Sequence, residues 1–212
     1  MNRQTTASLS TTVCSISLGA LLLTGCASGV HNPSGTPVTR VNPDEQGAVA
    51  GTGIESQDLV SVTDKMARSI LANPELQKAQ GIPRIVLLPV ENQTRFAINK
   101  DMFLDRIRVQ LNSKAQGKVR FLARDRMEAL EKEQELKKQG LVTSSSDPNV
   151  REFKGADFFL TGKLSGLTTK ARAGVSDYIL YTFQLIDPKT SDILWEDSAE
   201  IKKQGNDDAA YR

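Results

Sequence analysis

Ile179, Tyr181, Phe183 and Leu185 alternate with Tyr178, Leu180, Thr182 and Gln184, and this period of two constrains the fold more than any other feature of the chain. Alternation at that period belongs to a strand with two unlike faces. The aliphatic and aromatic set is expected in a core. The second set points the other way, and it forms a docking surface if helices do not cover it. The strand is expected to run from Val175 to Ile186, followed by the turn Asp187-Pro188-Lys189-Thr190-Ser191-Asp192 and another strand from Ile193 to Ile201. Ile193, Trp195 and Ile201 are expected on the core side of that strand. Asp157 to Leu164 reads as a third strand.

Upstream the period changes to that of helices. Leu59, Val62, Met66 and Ile70 recur at helical spacing behind Ser56, a plausible N-cap, and Pro74 ends the pattern. Ile85-Val86-Leu87-Leu88 is a short apolar run of the kind buried on both faces of a sheet. Phe103, Ile107 and Leu111 mark a second helix capped by Asn99 and stopped by Gly117. Lys118 to Leu122 reads as a strand. A third helix runs from about Arg124 to Gln139, with Gly140 after it. Its apolar side is thin, and Glu128–Lys132 and Glu133–Lys137 are i,i+4 pairs, so it reads as a solvated surface helix. Arg124 and Asp125 are expected to form a cap and a local ion pair. The order predicts an α/β fold: a mixed, mainly antiparallel sheet of about four to five strands flanked by helices.

The first 25 residues read as a leader rather than as part of that fold. Arg3 is its only charge, and the apolar run Val13 to Leu23 is too short to span a bilayer. Leu23-Thr24-Gly25-Cys26 then places a thiol at the first mature position, where it can take a diacylglyceryl group. Each buried CH₂ of such an anchor contributes roughly 0.8 kcal/mol of membrane binding. No Asp follows Cys26, which points to the outer membrane, facing the periplasm. Residues 26–53 are expected to be the acylated cysteine and a tether. Gly29, Gly35, Gly47, Gly51 and Gly53, with Pro33, Pro37 and Pro43, cannot bury enough apolar surface to fold. Stretched out, the tether reaches roughly 90 Å. Residues 54–212 suit one globular domain.

Residue supply excludes several chemistries. Of the two cysteines, Cys14 falls in the leader and Cys26 carries the lipid, while the single histidine, His31, lies in the tether. A Cys/His zinc site, a Cys-His nucleophile and a Ser-His-Asp triad therefore have no place in the folded part. No Gly-rich phosphate loop is present. Gly162 and Gly166 read as backbone accommodations at strand ends, and Asp207-Asp208 as solvated tail residues. Lys and Arg number 27 against 25 Asp and Glu, a balance that does not suggest a nucleic-acid binder. Arg106, Arg108, Lys118, Arg120 and Arg124 cluster in sequence and could meet an acidic partner or a glycan strand. Ordinary solubility explains them as well.

Several blocks resemble the LpoB family, lipoprotein activators of a bifunctional class A penicillin-binding protein. Gly53-Ile54-Glu55-Ser56-Gln57-Asp58 with Thr63-Asp64-Lys65-Met66 is similar to the opening of its domain. Ile98-Asn99-Lys100 and Asp105-Arg106-Ile107-Arg108-Val109-Gln110-Leu111-Asn112 resemble its second helix. Leu136-Lys137-Lys138-Gln139-Gly140 is similar to the end of its third. Gly155-Ala156-Asp157, Leu160 and Gly162 resemble its third strand, and Asp207-Asp208-Ala209-Ala210-Tyr211-Arg212 its terminus. Residues 89–94 and the loop at 141–154 depart from the family. The resemblance implies a monomeric protein without catalysis or cofactor, held in the outer membrane at Cys26, that docks on the regulatory domain of the synthase and raises polymerisation and cross-linking. Tyr178 and Thr182 on the outward face, with Arg106 or Arg108, are the expected contact residues. An alternative within the same fold class is a structural component of an envelope secretion or assembly complex. A third reading, a cell-wall hydrolase, is left only carboxylate chemistry.

Overall fold

The computed structural model describes residues 38–79, 81–142 and 153–206. The expected leader, Cys26, the first part of the expected tether up to residue 37, the polar loop at 143–150 and the tail with Asp207-Asp208 lie outside them. Chain contacts separate Met1–Arg40 from Val41–Arg212, and the helices and strands described all belong to the second unit.

Helix α1 spans Ser56–Leu71. Its N-cap is Glu55 rather than Ser56. The Glu55 carboxylate accepts from the third helical N–H, while Asp58 Oδ2 accepts from Glu55 N at 2.8 Å, closing a capping box. Val62, Met66, Ala67 and Ile70 form its buried stripe. Pro74 ends α1 as expected but also opens a short helix, α2, Pro74–Lys78, which the sequence pattern does not reveal. Proline suits that first helical position because its N–H has no helical partner there. Asn73 caps α2 by accepting from Glu75 N at 2.7 Å, and it donates to Leu194 O at 3.0 Å.

Strand β1 (Arg84–Leu87) and strand β2 (Glu91–Gln93) lead into helix α3 (Asp101–Lys114), which buries Phe103, Leu104, Ile107 and Leu111. The N-cap of α3 is Lys100, with no side-chain cap, so the expected Asn99 cap is one residue early. Gln116 and Gly117 turn the chain at positive φ into the two-residue strand β3, Arg120–Phe121. A 3₁₀ turn, Arg124–Arg126, runs into helix α4, Met127–Lys138, which buries no residue. Lys137 and Glu133 approach to 3.4 Å on it, and Gly140 closes it at φ 69°, matching the solvated helix expected. Asp125 pairs with Arg126 at 3.1 Å rather than with Arg124, whose guanidinium donates instead to Lys154 O at 2.7 Å.

Strands β4 (Phe158–Ala171), β5 (Gly174–Ile186) and β6 (Ile193–Gly205) complete a six-stranded sheet of order β3-β1-β4-β5-β6, with β2 also on β4. β1 and β2 lie one after the other along the same side of β4. The α/β class and the mixed sheet are as expected. The sheet is not mainly antiparallel, however: β1–β3, β1–β4 and β2–β4 are parallel, and only the two hairpins β4–β5 and β5–β6 are antiparallel. The cause is connectivity, since helices carry the chain back between β1, β3 and β4 and so bring those strands in the same direction.

Helices α1 and α3 pack on one side of the sheet. Ile179, Tyr181, Phe183 and Leu185 meet them there, and the Phe103 ring lies 5.5 Å from Tyr181 and 6.2 Å from Phe183. Trp195 joins this side and donates to Ser69 Oγ at 3.0 Å. Trp195 and Ile201 pack against the core as expected, but Ile193 does not and is 52% exposed. A bulge explains the difference. Leu185 faces Trp195 while Ile186 faces Ile193, so one extra residue flips Ile193 off the core side. Gly162 lies within β4, not at its end, opposite Phe183. A Cβ there would fall 2.5 Å from the Phe183 ring, so only glycine leaves room for that ring.

One polar island interrupts the apolar side. Asp177 is 2% exposed and accepts from Arg95 Nε at 3.0 Å and Nη2 at 2.7 Å, and from the Thr52 and Thr168 hydroxyls at 2.6 Å each. Lys203, opposite Asp177 on β6, donates to Asp58 and to Gly53 O. Contacts with the sheet therefore begin at Thr52 and Gly53, ahead of residue 54. The Arg95 guanidinium, working against the cost of burial and helped by Thr168 and Thr52, holds the Asp177 carboxyl down at about 2.

Two stability measurements check these contacts. Gly162→Ala should lower the unfolding free energy by about 1–3 kcal/mol, read as a lower urea midpoint, because overpacking against Phe183 forces local shifts. The depressed Asp177 carboxyl stabilises the fold at pH values above its unfolded value of 3.8, and this contribution is lost as pH falls toward about 2. That shift is worth about 2 kcal/mol. Asp177→Asn should therefore cost at least that much at neutral pH and flatten the acid limb of a stability–pH curve.

Candidate docking face

Because β5 buries alternate residues only, its remaining side chains share the opposite face of the sheet. Register extends that face across three neighbours. Leu167 of β4, Tyr178 of β5 and Lys202 of β6 form one row, Ser165, Leu180 and Glu200 the next, Lys163, Thr182 and Ser198 the third, and Thr161, Gln184 and Glu196 the fourth. Glu91 of β2 adds to the third row beside Lys163. The helix–sheet packing of α1 on β6 and of α3 on β4 lies on the other side. Tyr178, Leu180 and Thr182 stay half-buried, and Leu167 is 66% exposed.

The face is shaped as well as open. A shallow trough of about 510 Å³ crosses it, bordered by Glu91, Thr161, Lys163, Leu180, Thr182 and Glu196. Its carboxylates are each engaged. Gln184 donates to Glu196 at 2.6 Å, and Gln93 donates to Glu91 at 2.6 Å. Loss of solvent, then the nearby Glu200 carboxylate, pushes the Tyr178 phenol up from its ordinary value. Among the described residues no group of three His, Cys, Asp or Glu side chains could hold a metal ion, and no helix is long and apolar enough to cross a membrane. Polar side chains around Leu180 suit recognition of a surface.

The expected contact residues separate into two places. Tyr178 and Thr182 share the open face of β5, four residues and roughly 13 Å apart. Arg106 and Arg108 belong to α3, in the layer behind the sheet. Arg108 donates to Asp105 at 2.7 Å and lines a separate pocket with Leu87, Leu122 and Arg124 at the ends of β1 and β3. Arg106 falls in one helical stripe with Gln110 and Lys114, and Lys114 reaches Asp64 of α1 at 3.0 Å. Its Nε is buried without a partner among the described residues. Lys118 lines yet another pocket beside Leu76 and Val119. Closeness in sequence did not make these cations one patch.

Leu167, Lys163, Glu91 and Lys202 complete the face and are not evident from the sequence. Alternation within β4 and β6 held part of the signal, but their pairing with β5 was needed to place each residue in a row.

Among curated proteins none matches the chain. Solved structures similar to it include the C-terminal domain of LpoB from Salmonella enterica, 17% identical, covering 69% of this chain and 99% of that one with a TM-score of 0.42. The same domain from Escherichia coli is 17% identical over 69% and 99% of the two chains, with a TM-score of 0.40. Lipoprotein GNA1162 from Neisseria meningitidis is 18% identical over 60% and 87%, with a TM-score of 0.36. The family model described as peptidoglycan-synthase activator LpoB matches residues 58–201, well over half of the chain from α1 to β6, and the protein belongs to that family.

Proposed function

We propose that this protein activates a bifunctional class A penicillin-binding protein by docking the open face of its sheet on the regulatory domain of the synthase. The observation that carries the reading is the uncovered β5 face with Tyr178 and Thr182, in a chain of the peptidoglycan-synthase activator family. Activation of this kind needs no catalytic group of its own. It needs tighter binding to the active state of the synthase than to the inactive one, and the rate gain is limited by that difference. Glycan polymerisation and peptide cross-linking both rise as the active state fills.

Delivery follows from the N-terminal sequence. Cys26 carries the acyl chains that hold the protein in the outer membrane. The Gly- and Pro-rich residues from 27 up to the fastened Thr52 and Gly53 let the domain cross the cell-wall layer to a synthase anchored in the inner membrane.

The purified chain, mixed with a class A synthase of the same cell, should accelerate polymerisation of lipid II. No acceleration with any such synthase would sink the proposal. Tyr178→Ala should raise the activator concentration needed for half-maximal stimulation by roughly tenfold or more, as loss of a central aromatic contact does. Arg108→Ala, in the layer behind the sheet, should leave it within about twofold. Cys26→Ser should stimulate in vitro like the natural chain and fail to support function in the cell.

A further inference from the structure

The open face is polarised along its strands. Toward the β4–β5 hairpin lie Lys202, in the row of Tyr178, and Arg172 in the turn, both exposed. Toward the opposite end lie Glu196 on the trough, then the β5–β6 turn, where Asp187 and Asp192 outnumber Lys189. Three charges fall between these ends: Lys163, which sits across from Glu91, and Glu200, which pairs with Leu180. An apolar cluster occupies the hairpin half, where Leu167 pairs with Tyr178 across β4–β5 and Leu180 follows on the same side of β5. Leu167 sits inside a strand, 66% exposed, against an aromatic neighbour. A large apolar side chain left to water at that position gains most from a covering partner.

Resting on the activator reading above, we propose that Leu167, Tyr178 and Leu180 form the energetic centre of the docking surface, and that Lys202 and Arg172 fix its orientation. The partner that fits is a protein surface of the synthase that is apolar in the middle and acidic on the side turned to the hairpin tip. Apolar and aromatic anchors at the centre of a contact supply most of its energy. Charges at the rim steer the encounter, reject the reversed orientation and weaken with salt. The two ends of this face differ in sign, so a partner turned end for end would set like charges against each other.

The test uses the full chain with the class A synthase, reading half-maximal stimulation at low and high salt. Leu167→Ala and Lys202→Glu should each raise the required concentration roughly five- to tenfold, with Lys202→Arg close to the natural chain. The Lys202→Glu effect should shrink at high salt. Lys189→Glu makes the same change in net charge on the β5–β6 turn and should have little effect. Stimulation by the natural chain with Lys202→Glu no worse than Lys189→Glu, or with Leu167→Ala unchanged, overturns this proposal and leaves the activator reading standing. Absence of stimulation or binding by the natural chain sinks both. A dimer of the chain that Leu167→Ala dissociates, or salt-independent capture of glycan strands by the same face, would give the cluster another occupant and overturn the proposal too.

Discussion

Ile179, Tyr181, Phe183 and Leu185 bury one side of β5 against α1 and α3, while Tyr178, Leu180, Thr182 and Gln184 are left to the other side. Much of the remaining structure answers to that division. Helix α1 must lie over β6 to complete the buried side, and Trp195–Ser69, Lys65–Asp197 and Lys203–Asp58 hold it there. Gly162 must lack a side chain so that Phe183 can fill the space beside Phe103. With α1 and α3 packed on that side, Tyr178, Leu180 and Thr182 are left on the second face for a partner.

The buried island at Asp177 serves the same strand from its inner side. A carboxylate in an apolar layer is costly unless its lone pairs are filled, and Arg95, Thr52 and Thr168 fill them. Thr52 and Gly53 precede α1, so the segment that enters the domain is fastened to β5 and β6. The strands that present the open face are thus also the strands that hold this segment. Asp177 and Tyr178 are adjacent residues with opposite duties, one locking the entry and one facing outward.

Much of this was legible in the sequence because it is written at short range. The period of two in 178–185 named both faces of β5, and the helical stripes of α1 and α3 were evident from Val62, Met66, Phe103 and Ile107. Features set by pairing between distant segments were not legible. Ile193 looked like core because nothing local announces the bulge opposite Leu185 and Ile186. The parallel pairings of β1 depend on crossovers, and no residue pattern inside β1 states its direction. Arg106 and Arg108 looked like partners of Tyr178, yet the sheet stands between them. Leu167 escaped notice because its importance comes from Tyr178, on the next strand.

Hydroxyl-radical footprinting of the full chain, alone and bound to the synthase, tests the central claim most directly. It reads the solvent exposure of individual side chains, and the open face carries reactive ones. Binding should protect Leu167, Tyr178 and Leu180 while leaving Met102 of α3 and Leu130 of α4 as reactive as in the free chain. Protection of Met102 or Leu130 with no change at Tyr178 would place the partner on the helices and contradict the account.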